Sequence, residues 1–507
     1  MKNVIIGAGP AGLQMAHFLK DEEYIILEKS DKLCDFLRKF PRQRKLISIN
    51  KSKDLRYDWN SLLGSTMSLR DYTSDLYPSV DPLIMYMEDF ASKNKIKIRF
   101  NFEVKSIEKK DDKFVINGGE YVADRVFFGI GLVPREPDFE PDKKLTVYTY
   151  ANMPLNPELY MNKNVVIFGT GNAAFETAEW LQPHARTVLL AGRSVNAWQT
   201  HHPGHLRSKN YGIIDSYFLK SRVGFIWDLG NNRKFKESYQ YKTLVKCLSN
   251  IEYSTEMFDI IIFCTGFTFD DTLVKKLVDI DPVTNFPILN SNYESTKCPG
   301  LYFIGANGQN EDYKKGTSAF IHGFRYNCQY MHRVLSNNVE YTLIKSNEKK
   351  KLVDLVFTQL NQSSALFHRF DYFCDLIGKL PNGDYEYVKE IPISSIRTYT
   401  RPEWSKFFTI HLGYSRKLND KFPHEPHNHP RDASFCYFLH PIMTYRGETF
   451  HLPEEIFNEY IYRNHHIEPF IMFMDFFDGN IDITRYKKLI DEIDINGGPR
   501  MYNYLCS

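Results

Sequence analysis

Two stretches of the chain share one design: VIIGAGPAGLQMAHFL at Val4–Leu19 and VVIFGTGNAAFETAEWL at Val165–Leu181. Each is a short apolar run of buried-strand type, a glycine-rich turn, and then apolar residues at helical spacing. In the first, Gly7, Gly9 and Gly12 stand in GxGxxG spacing, with Pro10 and Ala11 opening the helix. YIILE returns as a second strand ending in Glu28, about 20 residues beyond the glycines, as a βαβ dinucleotide unit requires. The chemistry of such a unit follows from its geometry. Gly7 permits the tight turn, Gly9 lets backbone approach a pyrophosphate, and Gly12 lets helix and strand pack closely. The helix N-terminus offers unpaired N–H groups and a positive dipole to the phosphates, and Glu28 accepts from ribose hydroxyls.

The second unit has Gly169, Gly171 and Asn172, with Ala174 in the third glycine's place, where a methyl still allows close packing. Its return strand, TVLLAGRS, ends in Gly192 and Arg193 where an acid would stand. A carboxylate there would repel a 2′-phosphate, whereas an arginine can pair with one. Arg193 therefore favours NADPH over NADH; the alternative is a solvated strand-end cation. His201, Arg207 and Lys209 downstream could add charge.

Two such units point to a two-nucleotide α/β flavoprotein, with FAD in the first and NADPH in the second. RVFFGIGL at Arg125–Leu132, containing Gly131, and FDIIIFCTGF at Phe258–Phe267 read as strands at the crossovers between the two halves. GLYFIG, ending at Gly305, reads as the last strand, and GTSAFIHGFRYNCQYMHRVL at Gly316–Leu335 as a helix whose N-terminal dipole favours an anionic reduced flavin. This divides the chain into an FAD-binding domain, 1–150 and 286–338, an NADPH-binding domain, 151–285, and a C-terminal domain, 339–507. The last carries no nucleotide fingerprint. NEKKKLVDLVFTQL is an amphipathic helix, PNGDYEYV a turn between strands, WSKFFTIHLGY a strand, and HHIEPFIMFMDFFDG core, so this extension is expected to be mixed α+β. Its aromatic runs could also cover the flavin or hold a homodimer.

Composition narrows the function. Net charge is +2 over 507 residues, which implies no basic face for nucleic acid or an anionic membrane. No apolar run is long enough to span a bilayer. The first strand starts at Asn3, leaving no room for a signal peptide, and the terminal NYLCS is no retrieval signal; with eight cysteines and no CxxC pair, a reducing, cytoplasmic setting is expected. The missing CxxC also removes the dithiol that a disulfide reductase would use. His424, His427 and His429 lie in an irregular segment bracketed by Pro426 and Pro430, with only Glu425 nearby as a further ligand, so no metal site is expected.

The stretches GAGPAGLQM, FPRQRKLISINK (Phe40–Lys51), LRYDWNSLL (Leu55–Leu63), GNAAFETAE (Gly171–Glu179), FIHGFRY (Phe320–Tyr326) and FLHPIMTYRG (Phe438–Gly447) carry a resemblance over nearly the whole chain. It resembles the flavin-containing monooxygenase superfamily and, within it, the endoplasmic-reticulum FAD-dependent oxidoreductase domain-containing proteins linked to disposal of misfolded proteins. The resemblance implies FAD reduced by NADPH through hydride transfer, with electrons passed to oxygen through a C4a-peroxide or to another acceptor. It places Asn60 beside the flavin, where an amide could bond both peroxide and NADP; the alternative is a turn or capping Asn. Where the superfamily carries FxGxxxH, this chain reads FEPDKKL at Phe139–Leu145, and the common Gly-Asp after the last strand reads Gly305-Ala306. A flavin-stabilised adaptor with little turnover and a protein disulfide reductase therefore stay open beside the oxidoreductase. Arg42, Arg44 and Lys45 either approach the FAD pyrophosphate or flavin O2, or form a solvated loop before a strand-like LISIN. His322, one or two turns into the flavin-facing helix, is either an acid/base group or a packed histidine. No motif names the substrate, a small molecule or a protein thiol.

Overall fold

In the first half of the chain, buried apolar strands alternate with helices, and this pattern builds two parallel sheets. The computed structural model describes residues 1–50, 58–135, 146–192, 226–228, 258–414, 439–452 and 464–492. By its contacts the chain divides into two units. The first comprises Met1–Lys51, Asp58–Leu289 and Glu294–Arg325; the second comprises Ser52–Tyr57, Asn290–Tyr293 and Tyr326–Ser507.

The two parallel sheets of the first unit are built from β1 (Asn3–Ile6), β2 (Tyr24–Leu27), β3 (Ile98–Arg99), β4 (Arg125–Phe128), β5 (Thr146–Thr149), β6 (Asn164–Phe168), β7 (Thr187–Gly192), β8 (Ile226–Asp228), β9 (Ile260–Phe263) and β10 (Leu301–Phe303). One sheet runs in the order β10-β4-β1-β2-β3 and the other in the order β8-β7-β6-β9-β5, every pair parallel. Parallel strands are covered on both faces, which is why VII of β1, VVIF of β6 and IIIF of β9 are unbroken apolar runs rather than alternating ones. Helix α1 (Pro10–Phe18) connects β1 to β2, α2 (Val80–Lys93) precedes β3, and α3 (Asn172–Leu181) connects β6 to β7. Val4, Ile6, Leu27, Val126, Phe128 and Phe303 share one core; Val165, Ile167, Ala174, Phe175, Leu190 and Ile262 share another. A three-stranded antiparallel meander over Ile107–Ala123 is inserted before β4.

LISIN, Leu46–Asn50, departs from expectation: it is not a strand. Lys45 forms one isolated bridge to Ser79, and Leu46 and Asn50 donate backbone N–H groups to Pro78 and Leu76. Pro78 has no N–H with which to continue a ladder, so the pairing stops after isolated bonds.

Helix α4 (Ile321–Leu335) begins in the first unit and ends in the second. The second unit contains strands β11 (Thr342–Ile344), β12 (Phe373–Lys379), β13 (Tyr385–Pro392), β14 (Lys406–Gly413), β15 (His440–Tyr445) and β16 (Glu448–His451), in the order β11-β13-β12-β14-β15-β16, all antiparallel. Helices α5 (Lys349–Gln362) and α6 (Asn464–Asp478) accompany the sheet. Phe470, Phe473 and Phe477 of α6 pack their rings on Phe408, Tyr445 and Phe450, so the aromatic run from Phe470 to Phe477 is core and the extension is mixed α and β as expected.

In the middle of that sheet, β12 carries a register shift between Cys374 and Leu376, and the residue between them, Asp375, is fully buried. Its carboxyl accepts from the Tyr387 hydroxyl and from the Glu390 N–H, at 2.7 Å for the latter. Burial outweighs both bonds and raises its pKa from 3.8 to about 7. A carboxyl with its native pKa above its unfolded one adds stability fully below about pH 4, and that stability is lost as the pH rises through about 7. Urea unfolding of the intact protein between pH 5 and 8 is therefore expected to show stability falling with pH, and Asp375→Asn to flatten that slope. Parallel slopes in the two proteins would rule the effect out.

Candidate functional site: two dinucleotide loops and a pinned turn

The first glycine turn is shaped by what its neighbours leave no room for. Gly7 donates its N–H to Leu27 O at 2.9 Å and sits at φ +101°, where a Cβ would lie 2.5 Å from Gly129 O. A Cβ on Gly12 would lie 2.1 Å from Gly7 O. Gly9 is different: nothing stands within 4 Å of its missing Cβ. The first and third glycines thus serve the protein's own packing, and the second faces open space. Pro10 occupies the first helical position and no side chain caps Gly9, so the first-turn N–H groups of α1 remain available to a ligand. Gly305 closes the loop from the other side; a Cβ there would meet Ala11 Cβ at 2.8 Å. Gly131 is held at both ends by Asn307, whose side chain accepts from its N–H at 3.1 Å and donates to its carbonyl at 2.6 Å. Glu28 is buried beside the turn and accepts from Ala8 N–H at 2.7 Å and Ser30 N–H at 2.9 Å.

The second turn repeats this logic. Gly169 donates to Ala191 O at 2.8 Å, sits at φ +130°, and would place a Cβ 2.3 Å from Cys264 O. Gly171 has nothing within 4 Å of its missing Cβ. Asn172 is the first residue of α3, and Ala174 is fully buried in the core. Strand β7 ends at Gly192; Arg193, His201, Arg207 and Lys209 lie outside the described residues.

The basic cluster is tied to protein groups. Arg44, at φ +62°, donates to Leu37 O and Arg38 O at 2.9 Å each and pairs with Asp81, whose carboxyl the guanidinium holds below its usual pKa. Arg42 reaches Met153 O at 2.7 Å with its guanidinium and Tyr150 Oη at 3.1 Å with its backbone N–H. Gln43 donates to Thr177 Oγ1 at 3.2 Å. Residues 40–44 thereby bind the first dinucleotide half to the second.

Asn60 follows Trp59 in the chain, and Trp59 in turn stacks on His322. His322 stacks on Trp59 with ring centroids 4.9 Å apart, and on Phe320 at 5.5 Å. It is the second residue of α4, in its first turn rather than one or two turns in, because the helix starts at Ile321 and not near Gly316. Asn60 is buried in a turn organised by Asp58. Asp58 accepts from Asn60 N–H at 2.9 Å, Ser61 N–H at 2.6 Å, and the hydroxyls of Ser61 and Ser68 at 2.5 Å each. Three helices hold the following residues. Arg325 of α4 donates to Ser61 O, Tyr86 of α2 accepts from Leu62 N–H at 2.7 Å, and Gln14 of α1 accepts from Leu63 N–H at 2.7 Å and donates to its carbonyl at 3.3 Å. Asp58, Gln14, Arg325 and Asn307 were not evident from spacing. A polar Gln14 inside the apolar α1 pattern and an Asp58 three residues before Ser61 are signals that could have found those two; Arg325 and Asn307 carry no such local signal.

The described cysteines, Cys34, Cys264, Cys298, Cys328 and Cys374, are buried, and none is in a disulfide. Burial pushes the Cys34 thiol up strongly and the Cys264 thiol up to about 12, so neither is a ready nucleophile. Among the described residues, no group of three or more His, Cys, Asp or Glu could hold a metal, and no helix is long and apolar enough to cross a membrane. HEPHNHP and FEPDKKL lie outside the described residues.

Residues 4–305 match the family described as pyridine nucleotide-disulphide oxidoreductase. The mouse FAD-dependent oxidoreductase domain-containing protein 2 is 30% identical over 512 residues, covering 89% of this chain and 76% of the mouse protein. Its zebrafish counterpart is 30% identical over 462 residues, covering 77% and 67%. Among solved structures, a flavin monooxygenase from Stenotrophomonas maltophilia has the same fold, with TM-score 0.51 and 16% identity over 66% of this chain and 98% of that one. Two glycine turns on two parallel sheets, matched along the sequence in this way, place the chain in the pyridine nucleotide-disulphide oxidoreductase family, as an FAD-dependent oxidoreductase.

Proposed function

We propose that the chain binds FAD at the first glycine turn and NADPH at the second, and that it works as an NADPH-dependent, monooxygenase-like oxidoreductase. The observation that carries this reading is the open space at Gly9 and Gly171, each beside glycines or alanine closed in by protein. That is the cradle a pyrophosphate needs, since its oxygens must reach backbone N–H groups with no side chain between. Glu28 fits as well: a carboxylate has about four acceptor sites, and two are taken by Ala8 and Ser30, which leaves room for ribose hydroxyls.

Bound FAD would supply the two-electron chemistry, accepting hydride from the nicotinamide and passing electrons to oxygen or another acceptor. The protein's part is placement. The first turn of α1 holds phosphate charge, the Gly169–Ala174 turn with Asn172 holds the second nucleotide, and Arg193 pairs with its 2′-phosphate. Buried His322, stacked on half-buried Trp59, gives this side of the site an aromatic wall, and the Asn60 amide supplies a donor and an acceptor. Disulfide reduction through a dithiol of the chain's own is less well supported, because the described cysteines are buried.

Adding NADPH anaerobically to FAD-loaded protein is expected to bleach the flavin absorbance near 450 nm, by the ordinary spectrum of the cofactor. No bleaching with NADPH or NADH would overturn the oxidoreductase reading. Two glycine variants separate binding from folding. Gly9→Val should keep the wild-type melting temperature without cofactor yet weaken FAD binding by at least about tenfold, the factor of ~1.4 kcal/mol. Gly12→Val should fail to fold or melt far lower, because its Cβ meets the Gly7 carbonyl. Arg193→Ala should reduce the preference for NADPH over NADH by about tenfold in kcat/KM, the worth of one lost charged pair; an unchanged ratio would remove Arg193 from the phosphate site.

A further inference from the structure

The turn at residues 58–63 has no regular secondary structure, yet its backbone is pinned at almost every step. The N–H groups of Asn60 and Ser61 are taken by Asp58, that of Leu62 by Tyr86, and that of Leu63 by Gln14; the carbonyls of Ser61 and Leu63 are taken by Arg325 and Gln14. Loops that merely connect elements sit on the surface and satisfy their backbone with water. This one is buried, and it is held by side chains from three helices: the one that opens at the first glycine turn, the one that carries Tyr86, and the one whose first turn carries His322. Asp58 is the centre of it. Its carboxylate, 1% exposed, takes four donors from Asn60, Ser61 and Ser68. The residues it holds directly are Asn60, Ser61 and Ser68; Trp59 lies between Asp58 and Asn60 in the chain and stacks on His322.

We propose that Asp58 is a positioning residue for the flavin reaction, holding Asn60 and the Trp59–His322 stack in one fixed arrangement toward bound FAD. The inference rests on the FAD reading above. Asp58 touches no reacting atom; it acts through the turn. A carboxylate suits this task because it accepts from two N–H groups and two hydroxyls at once, whereas an amide turns one acceptor into a donor that faces other donors. Supporting groups of this kind fix first-contact residues to within fractions of an ångström, and small misplacements lower rates strongly.

The test uses the full chain loaded with FAD. Asp58→Asn and Ser68→Ala are compared with Asp482→Ala, which removes a helix cap of α7 (Ile483–Asp491) in the second unit and serves as the purely stabilising control. The expected result is that Asp58→Asn retains FAD but shifts the visible flavin spectrum and slows anaerobic reduction by NADPH at least tenfold at saturating NADPH. Ser68→Ala should do the same to a smaller degree, and Asp482→Ala should lower only the melting temperature. Wild-type spectrum and reduction rate in Asp58→Asn, measured well below its melting temperature, would overturn the proposal. Should Asp58→Asn fail to fold, Ser68→Ala decides: an unchanged spectrum and rate overturn the proposal, and a change in both supports it. If wild-type protein neither binds FAD nor is reduced, the FAD reading itself has failed; if wild type is reduced and the turn variants match it, only the role of Asp58 has.

Discussion

The first unit depends on backbone approaching backbone where a side chain would intervene. Gly7 lies against the carbonyl of Gly129, and Gly12 lies against the carbonyl of Gly7. These two contacts bring the start of α1 down onto the end of β1, next to the end of β4. In a parallel sheet the strand ends gather along one edge, and a helix drawn this close turns its N-terminal N–H groups into the crevice beside them. The same arrangement recurs where Gly169 meets the carbonyl of Cys264, so the chain solves one packing problem twice. What the two solutions share is an open second glycine. A protein interior is close-packed, and a turn that is tight on two glycines and vacant at the one between them is shaped for a guest.

Much of this was legible in the sequence, for a physical reason. Glycine spacing, a returning apolar strand and a terminal acid are all local, and local features are what periodicity and spacing report. The amphipathic α5, the β12–β13 hairpin at PNGDYEYV and the aromatic core helix α6 were legible in the same way, since each is a pattern within one short window. LISIN misled because its composition suits a strand while its neighbour, with Pro78 at the pairing position, cannot extend a ladder. The start of α4 misled because Gly316 and Thr317 look like a helix opening, whereas the chain makes a further turn before Ile321.

The site was only half legible. Asn60 and His322 stand out by residue type and neighbourhood, but the contacts that hold the turn at Asn60 do not. Asp58 works through residues up to ten positions away, Gln14 reaches Leu63 across 49 residues, and Arg325 reaches Ser61 across 264. No spacing rule reports contacts at such separations; they exist only once three helices converge. The same holds for Asn307, which bonds Gly131 across 176 residues. Residues that contact a ligand carry recognisable chemistry, while the residues that hold them in place carry only geometry.

That distinction bears on how the two glycine turns are built. The first turn is closed on several sides: Gly305 abuts Ala11, Asn307 clamps Gly131, and Glu28 ties the Ala8 N–H to the end of β2. Its third glycine admits no methyl at all. The third position of the second turn is already a methyl, Ala174, so α3 stands where a Cβ fits. Every added tie lowers the freedom the turn must surrender when a ligand arrives, and a pre-organised turn therefore gains affinity without any new contact to the ligand. At the first turn those ties come from residues far apart in the chain, so its shape is fixed by the fold before any ligand arrives.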